Sequence, residues 1–123
     1  MHAENRIAPD IFRQRFLVEG YHEGQITQDG IAEALVGIAR DLDLRTYGEP
    51  VVYSPESGMG KAENAGFDAF VPLVDSGISA YVWIQARFVS VLIYACKAFD
   101  EQRALASVRE RFALGDALET TSF

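Results

Sequence analysis

The sequence predicts an α+β fold, a two-layer sandwich in which an antiparallel sheet carries two helices packed on one face. Three observations point there. Short apolar runs bounded by Gly and Pro read as strands. Two other stretches repeat their apolar residues every three or four positions, as helices do. Several strand-like runs also follow one another with no helix between them, which favours antiparallel pairing. The 123 residues, 49% hydrophobic and 24% charged, suit one globular domain with enough apolar side chains for a core.

Residues 1–10 are polar and expected to be loose. Residues 11–21 (IFRQRFLVEGY) mix apolar and charged residues in near alternation, which suits a strand. The polar stretch 22–30 contains Gly24 and Gly30 and reads as a loop. Thr27 or Asp29 can cap the helix that follows. That helix carries Ile31, Leu35, Ile38 and Leu42 on one side, with Glu33, Arg40 and Asp41 elsewhere. Gly37 lowers its propensity by up to ~1 kcal/mol and is expected to allow close approach to the sheet.

A short strand, Val51-Val52-Tyr53, comes next. Residues 55–66 (PESGMGKAENAG) read as a flexible loop. Residues 67–74 (FDAFVPLV) read as a strand whose Pro72 marks an edge or a bulge. Residues 78–85 and 88–96 form a hairpin. The second helix spans 99–114, with Asp100 as its cap, Leu105, Val108 and Phe112 as its buried stripe, and Gly115 as its stop. The tail 116–123 is expected to fray.

Composition narrows the function classes. A net charge of −7 repels phosphate backbones, so no nucleic-acid partner is expected, whereas a cationic small molecule is attracted. Cys96 is the single cysteine, so no intrachain disulfide can form. No secretory signal is expected, and no apolar run reaches the ~18 residues of a membrane span. The expectation is a cytoplasmic protein with no membrane partner.

His2 and His22 have no metal-type spacing, so no metal site is expected. His22 beside Glu23 reads as a solvated loop pair. Gly58-Met59-Gly60-Lys61 lacks the rest of a phosphate loop, and Ala62 stands where the hydroxyl residue belongs.

The hairpin region 75–97 (DSGISAYVWIQARFVSVLIYACK) holds the best candidates. Ser76 stands before its first strand and Cys96 ends its second, so pairing can bring both to one edge of a sheet. Cys96 is either a small buried hydrophobe or an exposed thiol tuned by a nearby charge. Glu19 is either solvated or paired with a substrate cation. Tyr81 and Trp83 share one face of the hairpin, for packing or for stacking a flat ring.

These residues resemble the prokaryotic S-adenosylmethionine decarboxylases. Asp75-Ser76-Gly77 stands at that family's Glu-Ser-His triplet, Tyr81 at its histidine, Trp83 at its tryptophan and Cys96 at its cysteine, with no gap across 75–97. Phe16-Leu17-Val18-Glu19-Gly20-Tyr21 is similar to the family's first strand, including a glutamate at Glu19.

The resemblance implies self-cleavage before Ser76, which becomes an N-terminal pyruvoyl group. That carbonyl then takes up the electrons released when carbon dioxide leaves the substrate. It implies Cys96 as proton donor, with Tyr81 and Asp68 at the positions that assist self-cleavage. It also implies Glu19, Trp83 and Asp75 as substrate-facing residues, S-adenosylmethionine or a related small molecule as ligand, a role in polyamine (spermidine) biosynthesis, and a homodimer.

Three positions depart from the family. Tyr81 replaces the processing histidine, and a phenol with pKa near ~10 is a poor proton shuttle at neutral pH. Gly77 replaces the histidine after the serine, and Asp68 replaces an assisting serine. The alternative expectation is therefore an uncleaved, non-decarboxylating pseudoenzyme that binds a nucleoside-like ligand or partners an active paralogue.

Overall fold

The computed structural model describes residues 7–54 and 61–123. The flexible loop expected over 55–66 therefore lies partly outside the described residues, as do the discarded phosphate-loop motif at 58–61 and the loose segment 1–10. Six strands form one sheet: β1 (Gln14–His22), β2 (Val51–Tyr53), β3 (Gly66–Leu73), β4 (Ser76–Trp83), β5 (Phe88–Ala95) and β6 (Leu114–Ser122). The spatial order is β2-β3-β4-β5-β1-β6, and every pairing is antiparallel. Helices α1 (Gln28–Asp41) and α2 (Glu101–Arg111) cover one face, so the α+β sandwich is observed.

Strand alternation separates the two faces. Phe16 and Val18 of β1, Ala69, Val71 and Leu73 of β3, Ile78, Ala80 and Val82 of β4, and Val89, Val91, Ile93 and Ala95 of β5 are buried under the helices. The helices meet them with Ile31, Ala34, Leu35, Ile38 and Ala39 of α1 and with Ala104 and Val108 of α2. Burying each large aliphatic side chain stabilises the fold by about 1.5–3 kcal/mol.

The helix starts follow the sequence. Thr27 Oγ1 accepts from Gly30 N at 3.0 Å, so Thr27, not Asp29, caps α1. Asp100 Oδ1 accepts from Arg103 N at 3.0 Å. Between the helices, Arg111 donates to Asp41 from Nε at 2.9 Å and from a terminal nitrogen at 3.1 Å, and Ser107 Oγ donates to Asp41 at 2.7 Å. These hydrogen bonds, Arg111's first, hold the Asp41 carboxyl below its ordinary value.

Several expectations need correction. Residues 116–123 are not frayed, because β6 pairs with β1 from Phe16↔Ser122 to His22↔Leu114. Gly115 does not stop α2. The helix caps at Phe112, and Ala113 reverses the chain at φ 53°. Leu105 is only partly buried, and Ala104 takes its place in the stripe. Gly37 faces Arg111 of α2 rather than the sheet, and a Cβ there would meet the guanidinium at 2.1 Å.

His22 is buried, with its ring nitrogens 3.0 Å from Gly24 O and 3.2 Å from Trp83 O. It is not a solvated loop pair. Pro72 lies beyond the reach of the three-residue β2, at the irregular end of β3 where Tyr47 N donates to its carbonyl at 3.4 Å and Thr46 bridges Leu73, so its missing N–H breaks no regular ladder there.

Candidate active site

The hairpin β3–β4 closes through a two-residue turn, Val74-Asp75, since Leu73 pairs with Ser76. Three contacts hold that turn. Val74 N donates to Arg45 O at 2.8 Å, and Cys96 N donates to Asp75 O at 2.9 Å. An Arg45 terminal nitrogen lies 3.7 Å from Asp75 Oδ1. Ser76, at the start of β4, has φ 130°, a region that L side chains rarely occupy and that costs about 1–3 kcal/mol.

Ser76 stands opposite Ala95, the last residue of β5. Cys96 follows directly and is exposed, so the buried-hydrophobe reading of this cysteine fails. The backbone beyond it is fixed by Gln14. This buried amide donates to Phe99 O at 2.8 Å and accepts from Phe99 N at 2.9 Å. Lys97 donates to Asp43 O at 2.8 Å. One sheet edge therefore gathers Asp75, Ser76, Cys96, Arg45 and Lys97. Two cations and a thiol beside a constrained serine can bind an anionic group and move a proton.

Asp75 is the unusual member. It is only 8% exposed, and its Oδ2 has no hydrogen-bond partner among the described residues. Arg45 is 70% exposed, so it reaches the carboxylate from the solvent side.

The other sequence candidates stand elsewhere. Asp68, Tyr81, Ser90 and Glu19 are consecutive cross-strand partners on the helix-free face, and Glu119 continues the row. Ser90 Oγ donates to Glu19 Oε2 at 2.8 Å. The row crosses β4 at Tyr81, five residues from Ser76, which is about 17 Å along a strand. Within one chain, therefore, Tyr81, Asp68 and Glu19 do not meet Ser76 and Cys96.

Trp83 is farther still and packs on Phe88 at 5.3 Å between ring centroids, while Phe88 meets Tyr21 at 5.8 Å. Tyr81 and Trp83 do share the open face. Gly77 has a structural cause: the Phe70 ring occupies its side-chain space, 2.4 Å from where a Cβ would sit.

Sequence reading missed Arg45, Lys97, Gln14 and Ser90. Lys97 is adjacent to Cys96 in the chain, so its presence was readable. Arg45 and Gln14 reach the edge only through tertiary pairing.

No protein-family model matches the chain, and no curated protein matches it in sequence. The fold, however, is that of a known enzyme. The crystal structure of the adenosylmethionine decarboxylase from Aquifex aeolicus VF5 superposes with a TM-score of 0.66 at 18% sequence identity, over 92% of this chain and 89% of that one. This chain has an adenosylmethionine decarboxylase-like fold. At that identity the likeness is one of fold, and it agrees with the architecture that the resemblance implied.

Proposed function

We propose that the chain is a divergent pyruvoyl-type decarboxylase whose reactive centre is the Asp75–Ser76 turn and whose substrate is S-adenosylmethionine or a related amino acid. The observation that carries this reading is the constrained turn itself. Ser76 is held at φ 130°, the preceding carbonyl oxygen is bonded to Cys96 N, and the exposed Cys96 follows in the chain. A pyruvoyl group made from Ser76 would supply the electron sink that decarboxylation of an α-amino acid requires. The residues present fit such a group, with a serine at a backbone position suited to rearrangement and a thiol at the same edge.

In this reading Cys96 delivers a proton to the α-carbon that loses carbon dioxide. Arg45 and Lys97 attract the substrate carboxylate, and their charge stands out on a chain of net −7. The reading includes a homodimer in the cytoplasm and a place in polyamine biosynthesis. The helix-free face suits a second copy, since it exposes Phe70, Tyr81, Tyr94 and Tyr21. Docked there, a partner could also bring Glu19, Tyr81, Asp68 and Trp83 near a site.

One observation favours the second reading, an uncleaved protein that binds a nucleoside-like ligand or pairs with an active paralogue. The residues at the family's processing positions, Tyr81 and Asp68, lie about 17 Å from Ser76 in the same chain. Mass analysis of the intact purified protein separates the two readings. Fragments 1–75 and 76–123 support the first. A single species after long incubation, with a rise in melting temperature on adding S-adenosylmethionine, supports the second.

A further inference from the structure

The Asp75–Ser76 edge raises a question that Tyr81 cannot answer: which group takes the serine proton if the chain cleaves itself. We infer that the Asp75 carboxylate is that base, an inference that rests on the decarboxylase reading above. Its Oδ2 is buried and has no partner among the described residues, and a buried carboxylate oxygen without a partner calls for an explanation. Its other oxygen, Oδ1, faces the Arg45 guanidinium at 3.7 Å, so the carboxylate is held from the solvent side while Oδ2 stays on the buried side. The carboxylate belongs to the residue whose own carbonyl is attacked, so it travels with the reacting bond.

The rest of the geometry fits the same step. The Asp75 carbonyl oxygen already accepts from Cys96 N at 2.9 Å, which stabilises negative charge developing there. Strain at Ser76, φ 130°, is relieved when the peptide bond beside it is converted to an ester.

The step balances without a co-reactant. Rotation of the Ser76 side chain first brings Oγ to Asp75 Oδ2, with which it is not hydrogen-bonded in the resting chain. Oγ then loses its proton to Oδ2 and attacks the Asp75 carbonyl carbon, forming a C–O bond. The C–N bond to Ser76 then breaks, and the nitrogen takes the proton back from the Asp75 carboxyl. The product is an ester from Asp75 to Ser76 Oγ with a free amine on Ser76. Tyr81 and the missing histidines are then not needed for this step.

Hydroxylamine attacks esters, so it splits the chain at this linkage and leaves Ser76 intact on the second fragment. The test compares hydroxylamine-dependent fragments 1–75 and 76–123 by mass in the wild type, Asp75→Asn, Asp75→Glu, Asp75→Gly and, as a control, the exposed neighbour Asp43→Asn. Circular dichroism confirms that each variant folds. The inference predicts that Asp75→Asn slows fragment formation about 100-fold. It also predicts that Asp75→Glu retains most of the rate, that added formate restores cleavage to Asp75→Gly, and that Asp43→Asn matches the wild type.

Folded Asp75→Asn cleaving at the wild-type rate overturns the inference and leaves the decarboxylase reading intact. Failure of formate to restore Asp75→Gly, with Asp75→Glu also inactive, overturns it in favour of a purely structural role. Absence of fragments from every protein, wild type included, overturns both.

Discussion

The sheet edge at Ser76 and the row across the open face differ in how their chemistry is held. At the edge, a two-residue turn, a strained serine and an exposed cysteine are fixed by backbone hydrogen bonds, from Val74 N to Arg45 O and from Cys96 N to Asp75 O. Across the row, Asp68, Tyr81, Ser90, Glu19 and Glu119 are cross-strand partners on pleated strands, and one side-chain hydrogen bond, Ser90 to Glu19, joins two of them. Reactivity needs a group held in an otherwise unfavourable state, and only the edge has that. The row has carboxylates and a phenol on a surface that also exposes aromatic rings, which suits binding.

The largest expected effect separates the two regions outright. Ser76→Ala removes the only oxygen that can accept the Asp75 acyl group, so fragments 1–75 and 76–123 should vanish from the mass spectrum. Persistent cleavage in that variant would move the reactive centre away from the edge.

Gly77→Ala tests the join between edge and row. Its Cβ would press on the Phe70 ring, so a loss of about 1–3 kcal/mol in urea unfolding is expected. An unchanged midpoint would mean that the ring swings aside and that glycine is not required there.

Ser90→Ala probes the row alone. It removes a half-buried hydrogen bond to Glu19 and should cost about 1 kcal/mol with no effect at the edge. A change in fragment formation would show that row and edge are coupled.

The smallest effect lies outside both regions. Asp41→Asn weakens the α1–α2 bridge by up to about 1 kcal/mol, since the pair is roughly one-third exposed. Asp41 has its folded-state pKa lowered, so its contribution is present above the ordinary value of 3.8 and is lost as pH falls through the lower folded value. The stability gap between wild type and Asp41→Asn should therefore be constant near neutral pH and close in strong acid. A gap that widens in acid would contradict the assignment.

Much of the fold was legible because burial writes itself into periodicity. Ile31, Leu35 and Ile38 declared α1, and the alternation through β4 and β5 declared the hairpin. Strand β6 was hidden for the converse reason. It pairs on one side only, so residues such as Asp116, Glu119 and Thr120 stay exposed and leave no apolar alternation.

Ser76 and Cys96 stand at the same end of the β4–β5 hairpin because strand pairing sets Ser76 against Ala95, the residue before Cys96. Tyr81 lies on the same strand as Ser76, so its separation follows from five extended residues, whereas the position of Glu19 is set by register across β5, which no single segment encodes. Arg45 gave no signal at all. It reaches Asp75 only because the chain after α1 runs beside the β3–β4 turn, where Thr46 bridges Leu73.

The most direct test of the central claim is the mass of the purified protein, taken fresh and after prolonged incubation. The account predicts two fragments meeting at Asp75 and Ser76, the second with its amino terminus blocked as a pyruvoyl group. One intact chain with Ser76 unmodified, and no fragments on hydroxylamine treatment, would contradict it.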